Sequence, residues 1–282
     1  MSRVAVVGAG TMGNGIAHVF AQRGWDTLLV DVSEDALARG LQTIKQNLDR
    51  QVRKGTVTVS ESVGVLERIR TSTSFDDVKT AHFVVEAATE NPEIKFKIFR
   101  DLDRVAPGET ILASNTSSIS ITTLAAQTRR PAQVIGMHFM NPVPVMELVE
   151  VIRGKKTSNE TVEKTVELAT TLGKTPVEVN DSPGFVSNRV LMPMINEAIL
   201  CVQDGIATAE AVDEVMTLGM SHPLGPLALA DLIGLDVCLS IMKVLQEGLD
   251  QQKYRPAPLL EQMVAAGQLG RKSGQGFYAY RD

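Results

Sequence analysis

The first strand and the turn after it decide the fold: Val4-Ala5-Val6-Val7-Gly8-Ala9-Gly10-Thr11-Met12-Gly13. An apolar strand runs directly into a G-x-G-x-x-G motif, and a helical pattern follows from Gly13 to Arg23. In a dinucleotide-binding turn, the first glycine permits the tight turn, the second lets the backbone approach a pyrophosphate, and the third lets the helix pack close to the strand. The N-terminus of the helix offers N–H groups to the same pyrophosphate. The residues predicted to bind a dinucleotide are Gly8, Gly10, Thr11, Met12 and Gly13.

A second strand is predicted over residues 27–30, and Asp31 follows it directly, 18 residues beyond Gly13. A carboxylate at this position accepts hydrogen bonds from both ribose hydroxyls of NAD and repels the 2′-phosphate of NADP. The next residues, 32–34, include no arginine that could bind that phosphate. The sequence therefore favours NAD over NADP.

The composition is that of an ordinary soluble protein. Of the 282 residues, 22% are charged and 44% hydrophobic, and the net charge of −5 argues against a nucleic-acid or anionic-membrane binder. No apolar run approaches the ~20 residues that cross a bilayer. Two cysteines, Cys201 and Cys238, lie in apolar helical segments, which indicates free thiols and a cytoplasmic location. No cluster of Cys, His and carboxylates has metal-ligand spacing, so we predict no metal.

Up to about residue 180, short β-branched runs alternate with helical patterns, which is typical of an α/β fold with a parallel sheet. A pair of helices, predicted over residues 34–55 and 60–68, follows the first β-α-β unit. Further strands are predicted over residues 82–86, 110–113, 134–138, 146–151 and 176–179, and further helices over 91–105 and 159–172. The predicted class is α/β: a Rossmann-type, mostly parallel sheet with a helical-pair insertion.

A break in composition at Asp181-Ser182-Pro183-Gly184 indicates a domain boundary. We predict a dinucleotide-binding domain over residues 1–183 and an all-α domain over residues 184–282. Helical patterns in the second domain cover residues 185–204, 208–218, 226–232 and 235–251. Apolar residues cover more than one face of the first of these helices, as in helices buried in a core or against another subunit. We therefore expect an oligomer.

One of the four histidines, His138, ends a predicted strand at the sheet edge where α/β proteins bind ligands. Glu150 follows twelve residues later, after a proline-containing turn, on a strand that can return beside the first. A carboxylate on one ring nitrogen fixes the tautomer, and the other nitrogen can then accept a substrate proton. A structural His–Glu pair is the alternative. The other histidines, interpreted as packing or surface residues, are His18, His82 and His222.

Short polar side chains, residues 114–118, follow another strand at the same edge. They suit hydrogen bonding to a substrate oxygen or to a nicotinamide amide, although Ser117 or Ser118 could equally cap the next helix. Glu90 and Lys95 flank the start of a helix with Asn91 as its predicted N-cap. An exposed charge pair is the simplest interpretation of those two residues.

The whole chain resembles the L-3-hydroxyacyl-CoA dehydrogenases, particularly the short bacterial 3-hydroxybutyryl-CoA type. Six ordered motifs carry the resemblance: 7–13 (VGAGTMG), 113–118 (ASNTSS), 138–143 (HFMNPV), 181–189 (DSPGFVSNR), 222–226 (HPLGP) with 231–236 (DLIGLD), and 270–278 (GRKSGQGFY). The resemblance implies NAD-dependent oxidation of a short-chain 3-hydroxyacyl-CoA to the 3-ketoacyl-CoA, with the reverse reduction. It also implies a homodimer formed through the helical domain.

The resemblance also assigns roles to individual residues. His138 is expected to be the catalytic base and Glu150 its orienting partner, with Ser117 and Asn188 as donors to the substrate oxygens. The expected NAD contacts beyond the glycine-rich turn are Asp31, Glu90, Lys95 and Asn115. Asn141 is a further expected substrate contact, and Arg50 and Lys54 are expected to bind the CoA phosphates. Two alternatives stay open: an NAD-dependent dehydrogenase of a free hydroxy or sugar acid, and a non-catalytic NAD-binding protein with the same fold.

Overall fold

The computed structural model describes residues 3–280. The chain folds into two units, one ending at Ser182 and the other beginning at Pro183. This division falls inside the segment 181–184, where the composition changes.

The first unit is built on an eight-stranded sheet with the order β3-β2-β1-β4-β5-β6-β7-β8. The strands are β1 Arg3–Val7, β2 Asp26–Val30, β3 Ile69–Ser72, β4 Phe83–Glu86, β5 Ile111–Ser114, β6 Val134–Phe139, β7 Leu148–Arg153 and β8 Thr175–Asn180. Every neighbouring pair is parallel except β6 and β7, which are antiparallel. The prediction of a mostly parallel Rossmann-type sheet is confirmed.

The strand order reverses between β1 and β4, because β1 leads outward to β2 and β3 while β4 begins the other half of the sheet. A crevice forms at such a switch point, outside the carboxyl ends of the strands, and it is where open α/β sheets bind ligands. The glycine-rich turn follows β1 directly, so the topology places this turn at the crevice.

Among the described residues, six α-helices connect the strands. They are α1 Thr11–Gln22, α2 Glu34–Arg53, α3 Val59–Glu67, α4 Pro92–Val105, α5 Ile121–Ala125 and α6 Asn159–Thr171. The Ser33 hydroxyl accepts a hydrogen bond from the Ala36 N–H and caps α2, and a capping box between Thr58 and Glu61 starts α3. These caps account for the helical pair inserted between β2 and β3.

The core of this unit is formed by side chains of the central strands and of the helices that cover them. Val4 and Val6 of β1 pack in one cluster with Ile16 and Phe20 of α1 and Ile44 of α2. The central strands are buried along nearly their whole length, as expected where helices cover both faces of a parallel sheet.

The second unit contains five α-helices in its described part. They are α7 Ser187–Gln203, α8 Ala209–Glu214, α9 Pro226–Ile233, α10 Leu235–Gly248 and α11 Pro258–Ala265. The predicted helix over 208–218 is present as α8 and a π-helix, Val215–Gly219, that continues it directly. Within residues 183–280 the only β pairing is two isolated bridges around Gln275, so the all-α prediction is confirmed.

Candidate active site

The glycine-rich turn has the close contacts that a dinucleotide-binding turn requires. Gly8 has a φ of +102°, and a Cβ on it would lie 2.6 Å from the Ala87 carbonyl oxygen. A Cβ on Gly13 would lie 1.7 Å from the Gly8 carbonyl oxygen. At Gly10, by contrast, no described atom other than those of Gly10 and its two chain neighbours comes within 4 Å of an added Cβ. Two of the glycines are therefore needed for packing, and the third leaves open space.

This open space lies at the N-terminus of α1. Gly10 is the N-cap residue, and none of the described side chains caps it. Thr11 and Met12 form the start of the helix, whose first turn contains no acidic residue. Free N–H groups and the positive end of a helix dipole fit a pyrophosphate. The geometry thus suits the predicted cofactor.

Asp31 lies at the carboxyl end of β2, beside the glycine-rich turn. Its Oδ2 accepts a hydrogen bond from the Ala9 N–H at 2.8 Å, and its Oδ1 accepts one from the Ser33 N–H at 3.0 Å. These two backbone donors fix the carboxylate next to the pyrophosphate cradle. The remaining lone pairs of the carboxylate can accept hydrogen bonds from ribose hydroxyls.

His138 and Glu150 face each other across the antiparallel pair β6–β7, in which they are register partners. His138 Nδ1 lies 2.8 Å from Glu150 Oε2, and the two side chains are 10% and 3% exposed. A buried carboxylate on Nδ1 holds the ring in one orientation and tautomer, which directs Nε2 away from Glu150. The sequence-predicted dyad is therefore formed, with geometry suited to acid–base chemistry.

The loop between β6 and β7 makes this pairing possible. It contains a cis peptide bond between Asn141 and Pro142. Lys174 Nζ donates to the carbonyl oxygens of Val143, at 2.6 Å, and Met146, at 2.7 Å. Asn141 itself is exposed at the start of this loop. The lysine thus anchors the segment that returns β7 to β6.

The polar loop after β5 lies next to the histidine strand. Asn115 Oδ1 accepts a hydrogen bond from the Phe139 N–H at 2.9 Å, which links the end of β5 to the residue after His138. The Ser117 N–H and hydroxyl donate to Glu90 Oε1 at 2.6 and 2.8 Å, and the Thr116 hydroxyl donates to the same oxygen at 2.8 Å. Glu90 therefore holds the loop that carries Ser117.

The charge state of Glu90 is set by opposing influences. Partial burial raises the pKa of its carboxyl, but the charge of Lys95 and the hydrogen bonds from Thr116 and Ser117 outweigh it, so the net pKa is lowered. The carboxylate form that accepts these hydrogen bonds is consequently favoured.

The interpretation of Glu90 and Lys95 as an exposed charge pair is wrong for Lys95, which is 1% exposed. Its Nζ lies 2.7 Å from both carboxylate oxygens of Glu86 and 3.5 Å from Glu90 Oε2. Glu86 is a functional candidate that the sequence motifs did not indicate. The available signal was an acidic residue at the end of an otherwise apolar strand, Phe83–Glu86, with a lysine nine residues later.

The remaining predicted site residues lie elsewhere. Arg50 and Lys54 are exposed near the C-terminal end of α2, one turn apart. Arg50 donates a hydrogen bond to the Asn47 side chain.

Asn188 belongs to the second unit, where it is largely buried in the first turn of α7. His82 is exposed and accepts a hydrogen bond from the Arg3 N–H, whereas His18 is fully buried in α1.

The described part of the chain offers neither a metal site nor a membrane span. Within residues 3–280, no group of three or more His, Cys, Asp or Glu side chains could hold a metal ion. None of the helices in this range is long and apolar enough to cross a membrane.

Family models match nearly the whole chain. Residues 3–182 match the 3-hydroxyacyl-CoA dehydrogenase NAD binding domain, and residues 184–280 match the 3-hydroxyacyl-CoA dehydrogenase C-terminal domain. The chain belongs to the 3-hydroxyacyl-CoA dehydrogenase family. As a member of that family it is an NAD-dependent dehydrogenase, so the predicted resemblance, enzyme class and cofactor are confirmed.

Relatives within the 3-hydroxyacyl-CoA dehydrogenase family align along their full length. The chain is 56% identical over 282 residues to the probable 3-hydroxybutyryl-CoA dehydrogenase of Bacillus subtilis (strain 168), covering 100% of this chain and 98% of that protein. It is 54% identical over 281 residues to the 3-hydroxybutyryl-CoA dehydrogenase of Bradyrhizobium diazoefficiens, covering 100% and 96%. The crystal structure of (S)-3-hydroxybutyryl-CoA dehydrogenase from Ralstonia eutropha superposes with a TM-score of 0.97 at 51% identity, covering 100% of both chains.

Proposed function

We propose that this protein oxidises short-chain L-(S)-3-hydroxyacyl-CoA thioesters to 3-ketoacyl-CoA thioesters. Its preferred substrate is 3-hydroxybutyryl-CoA, and in the reverse direction it reduces acetoacetyl-CoA. The observation that carries the proposal is the buried His138–Glu150 pair, placed at the sheet edge that also bears the dinucleotide turn. The names of the similar proteins support the choice of substrate.

His138 acts as the acid–base group in this proposal. In the oxidation direction its Nε2 accepts the proton of the C3 hydroxyl, and in the reduction direction the imidazolium returns that proton to the carbonyl oxygen. Glu150, 2.8 Å from Nδ1, stabilises the imidazolium and orients the ring. Bound NAD supplies the hydride-accepting group. A positioned acid–base group contributes about 10²–10⁴-fold to the rate.

Ser117 and Asn188 are proposed as hydrogen-bond donors to the substrate oxygens, with Asn141 as a further substrate contact, by the family resemblance. The hydroxyl proton of Ser117 points to Glu90 in this structure. A hydroxyl has one proton to donate, so donation by Ser117 to the substrate requires that its proton leave Glu90. The Ser117 N–H, which also donates to Glu90 Oε1, still holds the loop when the hydroxyl turns to the substrate.

Four residues outside the glycine-rich turn are proposed to contact the cofactor: Asp31, Glu90, Lys95 and Asn115. For Asp31 the support is its position beside the open space at Gly10. For Asn115 it is the bond to Phe139, which leaves the amide NH₂ of Asn115 able to donate. Glu90 and Lys95 lie at the carboxyl side of β4, next to the strand-order reversal.

We further propose that Arg50 and Lys54 bind the phosphates of CoA. Arg50 is exposed on the last turn of α2 and Lys54 is exposed as its C-cap residue, so both charges are available to a ligand. An exposed contact of this kind contributes binding affinity that weakens with ionic strength.

A homodimer through the helical unit is proposed from the apolar side chains exposed there. These are Val186, Val190, Ile206, Val215, Leu218, Met220 and Leu232, each at least half exposed. Large exposed apolar areas are typical of protein interfaces. A cytoplasmic location is proposed because Cys201 and Cys238 are both free thiols, as in reducing compartments.

The proposed substrate is tested by NADH oxidation with acetoacetyl-CoA, run beside free acetoacetate and beside NADPH. Turnover with NADH and the CoA ester alone supports the proposal. Equal or better turnover of the free acid would instead favour the alternative, a dehydrogenase of a free hydroxy or sugar acid. A series of 3-ketoacyl-CoA chain lengths then defines the preferred substrate.

A further inference from the structure

Glu86 is a fully buried carboxylate at the end of β4 with four polar contacts. Its register partners are Val7 of β1 and Ser114 of β5, so it lies at the carboxyl edge of the two central strands. Oε1 accepts from the Ala88 N–H at 2.8 Å, and Oε2 accepts from the Ser114 hydroxyl at 2.7 Å. Lys95 Nζ lies 2.7 Å from both oxygens. A buried carboxylate is stable only with such compensation.

Glu86 determines where the Lys95 ammonium lies. The Lys95 side chain is 2% exposed, and a lysine ammonium has only three N–H groups. Two of these are directed at the Glu86 oxygens, while Glu90 Oε2 lies farther away at 3.5 Å. Glu86 therefore keeps the positive charge close to Glu90 but prevents a tight contact with it.

The position of Lys95 matters because Glu90 holds Ser117. A closer Lys95–Glu90 contact would draw the carboxylate away from the Ser117 N–H and hydroxyl, which now lie 2.6 and 2.8 Å from Oε1. Loss of the lysine charge would instead weaken the ionised form of Glu90. In both cases the Ser117 loop would lose the geometry seen here.

We propose that Glu86 is a positioning residue that acts through Lys95 and Glu90 to hold the Ser117 loop in its active arrangement. The proposal rests on the proposed function of Ser117 as a substrate contact. A role in stability alone does not require this ion pair, because apolar residues of similar volume replace buried ion pairs without loss of stability in many proteins.

A matched control is available in α4, the helix that carries Lys95, near its C-terminal end. Asp103 of α4 is also a buried carboxylate, and its Oδ1 lies 2.8 Å from Arg130 Nε. Arg130 directly precedes the segment leading into β6, at the amino-terminal edge of the sheet and away from the ligand-binding edge. Asp103→Asn thus removes a buried charge on α4 without touching the Glu86–Lys95–Glu90 contacts.

The first measurement is amine labelling of folded protein with an acetylating reagent, followed by peptide mass spectrometry. Lys97, exposed on the same helix, serves as the internal standard. In wild type and in D103N, Lys95 should stay protected relative to Lys97. In E86Q we expect Lys95 labelling to rise severalfold. Unchanged protection of Lys95 in E86Q would overturn the positioning role.

The second measurement is a double-mutant cycle with E86Q, K95M and E86Q/K95M. We expect E86Q to lower kcat/KM for acetoacetyl-CoA about tenfold in the wild-type background, and less than about twofold when Lys95 is already Met. K95M should also move the acid-side loss of kcat/KM to higher pH, because Glu90 loses its nearest cation. Equal effects of E86Q in both backgrounds would show that Glu86 does not act through Lys95.

One further variant and one further measurement test the proposal if E86Q does not fold or if the acyl substrate differs from the one proposed. If E86Q does not fold, Glu86→Asp retains the charge but withdraws it by one methylene, and the same loss of kcat/KM is expected. Wild-type kcat/KM in E86D would then contradict the proposal. The dissociation constant of NADH, from fluorescence titration, should rise severalfold in E86Q and not in D103N. That readout and the labelling do not depend on the acyl substrate, so they separate this inference from the proposed function.

Discussion

Glu150 lies directly opposite His138 on the antiparallel strands β6 and β7, and its Oε2 is 2.8 Å from His138 Nδ1. Directly opposed residues of an antiparallel pair lie on the same face of the sheet, where their side chains meet. The dyad is therefore a consequence of strand register. A shift of one residue in the β6–β7 pairing would place the two side chains on opposite faces and abolish the contact.

His138→Gln tests the acid–base group. We expect kcat for acetoacetyl-CoA reduction to fall by about 10²–10⁴-fold, because the variant lacks a group that can transfer the C3 oxygen proton. NADH affinity, from fluorescence titration, should stay near the wild-type value. His82→Gln, at an exposed histidine of the same unit, is the control and should leave kcat unchanged. Unchanged turnover in H138Q would remove His138 from the proposed role.

Glu150→Gln tests the orienting carboxylate. The amide keeps a hydrogen-bond acceptor but removes the charge that stabilises the protonated ring, so kcat for reduction should fall by roughly tenfold or more. Reduction requires the imidazolium form of His138. The alkaline limb of the pH profile of kcat for reduction should therefore move to lower pH. Glu147→Gln, exposed in the preceding loop, is the control. A lowered kcat with an unshifted pH profile would speak against the dyad.

Asp31→Asn tests cofactor selection. A hydrogen bond to a charged group contributes about 1.5–3 kcal/mol, so KM for NADH should rise by roughly tenfold. Use of NADPH should improve relative to NADH, because the 2′-phosphate no longer meets a carboxylate. Asp35→Asn, exposed in the first turn of α2, should change neither. The ratio of kcat/KM for the two cofactors is the measurement, and an unaltered ratio would exclude Asp31 as the discriminating residue.

Arg50→Ala and Lys54→Ala test the CoA contacts. We expect each to raise KM for acetoacetyl-CoA severalfold with little change in kcat, since phosphate binding is the same in the ground and transition states. The effect should shrink at high salt, where surface charges are screened. Lys45→Ala, exposed on the same helix, is the comparison. If all three variants raise KM equally, Arg50 and Lys54 affect substrate binding only through the overall positive charge of this region and do not contact the CoA phosphates specifically.

His18 makes stability depend on pH. Burial lowers its pKa to about 4, and neither ring nitrogen has a hydrogen-bond partner among the described residues. The unfolded chain, with an ordinary pKa of 6.5, binds this proton first. Stability from this site is therefore complete above about pH 6.5 and declines as the pH falls toward 4, by up to about 3 kcal/mol.

Urea unfolding of His18→Leu at neutral and at mildly acidic pH measures this contribution. The variant should lose less stability on acidification than the wild-type protein. His82→Leu, at an exposed histidine, should retain the wild-type pH dependence. An equal loss in H18L and wild type would show that His18 does not titrate as its burial implies.

The edge strand β3 shows why one part of the sheet was not predictable from local patterns. Of Ile69–Ser72 only Ile69 is buried, so this strand has neither the apolar run of a central strand nor a regular alternation. Its place is set by parallel pairing with β2, which is a property of the assembled sheet. The central strands, buried on both faces, were recognisable from their apolar runs.

The Glu86–Lys95 pair in the candidate active site was likewise not predictable from local sequence patterns. Nine residues separate the two along the chain, and their side chains meet only because α4 folds back beside the end of β4. Hydropathy suggests that a lysine in the first turns of a capped helix is exposed. Burial of Lys95 depends on a counter-charge supplied by another element, which local patterns do not contain.

The sequence by itself predicted the dinucleotide turn, an NAD preference from Asp31, and a division into a sheet unit and a helical unit. These features depend on local rules: glycine where a Cβ does not fit, a carboxylate after the second strand, and hydrophobic periodicity. Only the tertiary structure decided the register that joins His138 to Glu150 and the burial of Lys95 between Glu86 and Glu90. Such contacts depend on distances between separate elements, which packing of the whole unit fixes.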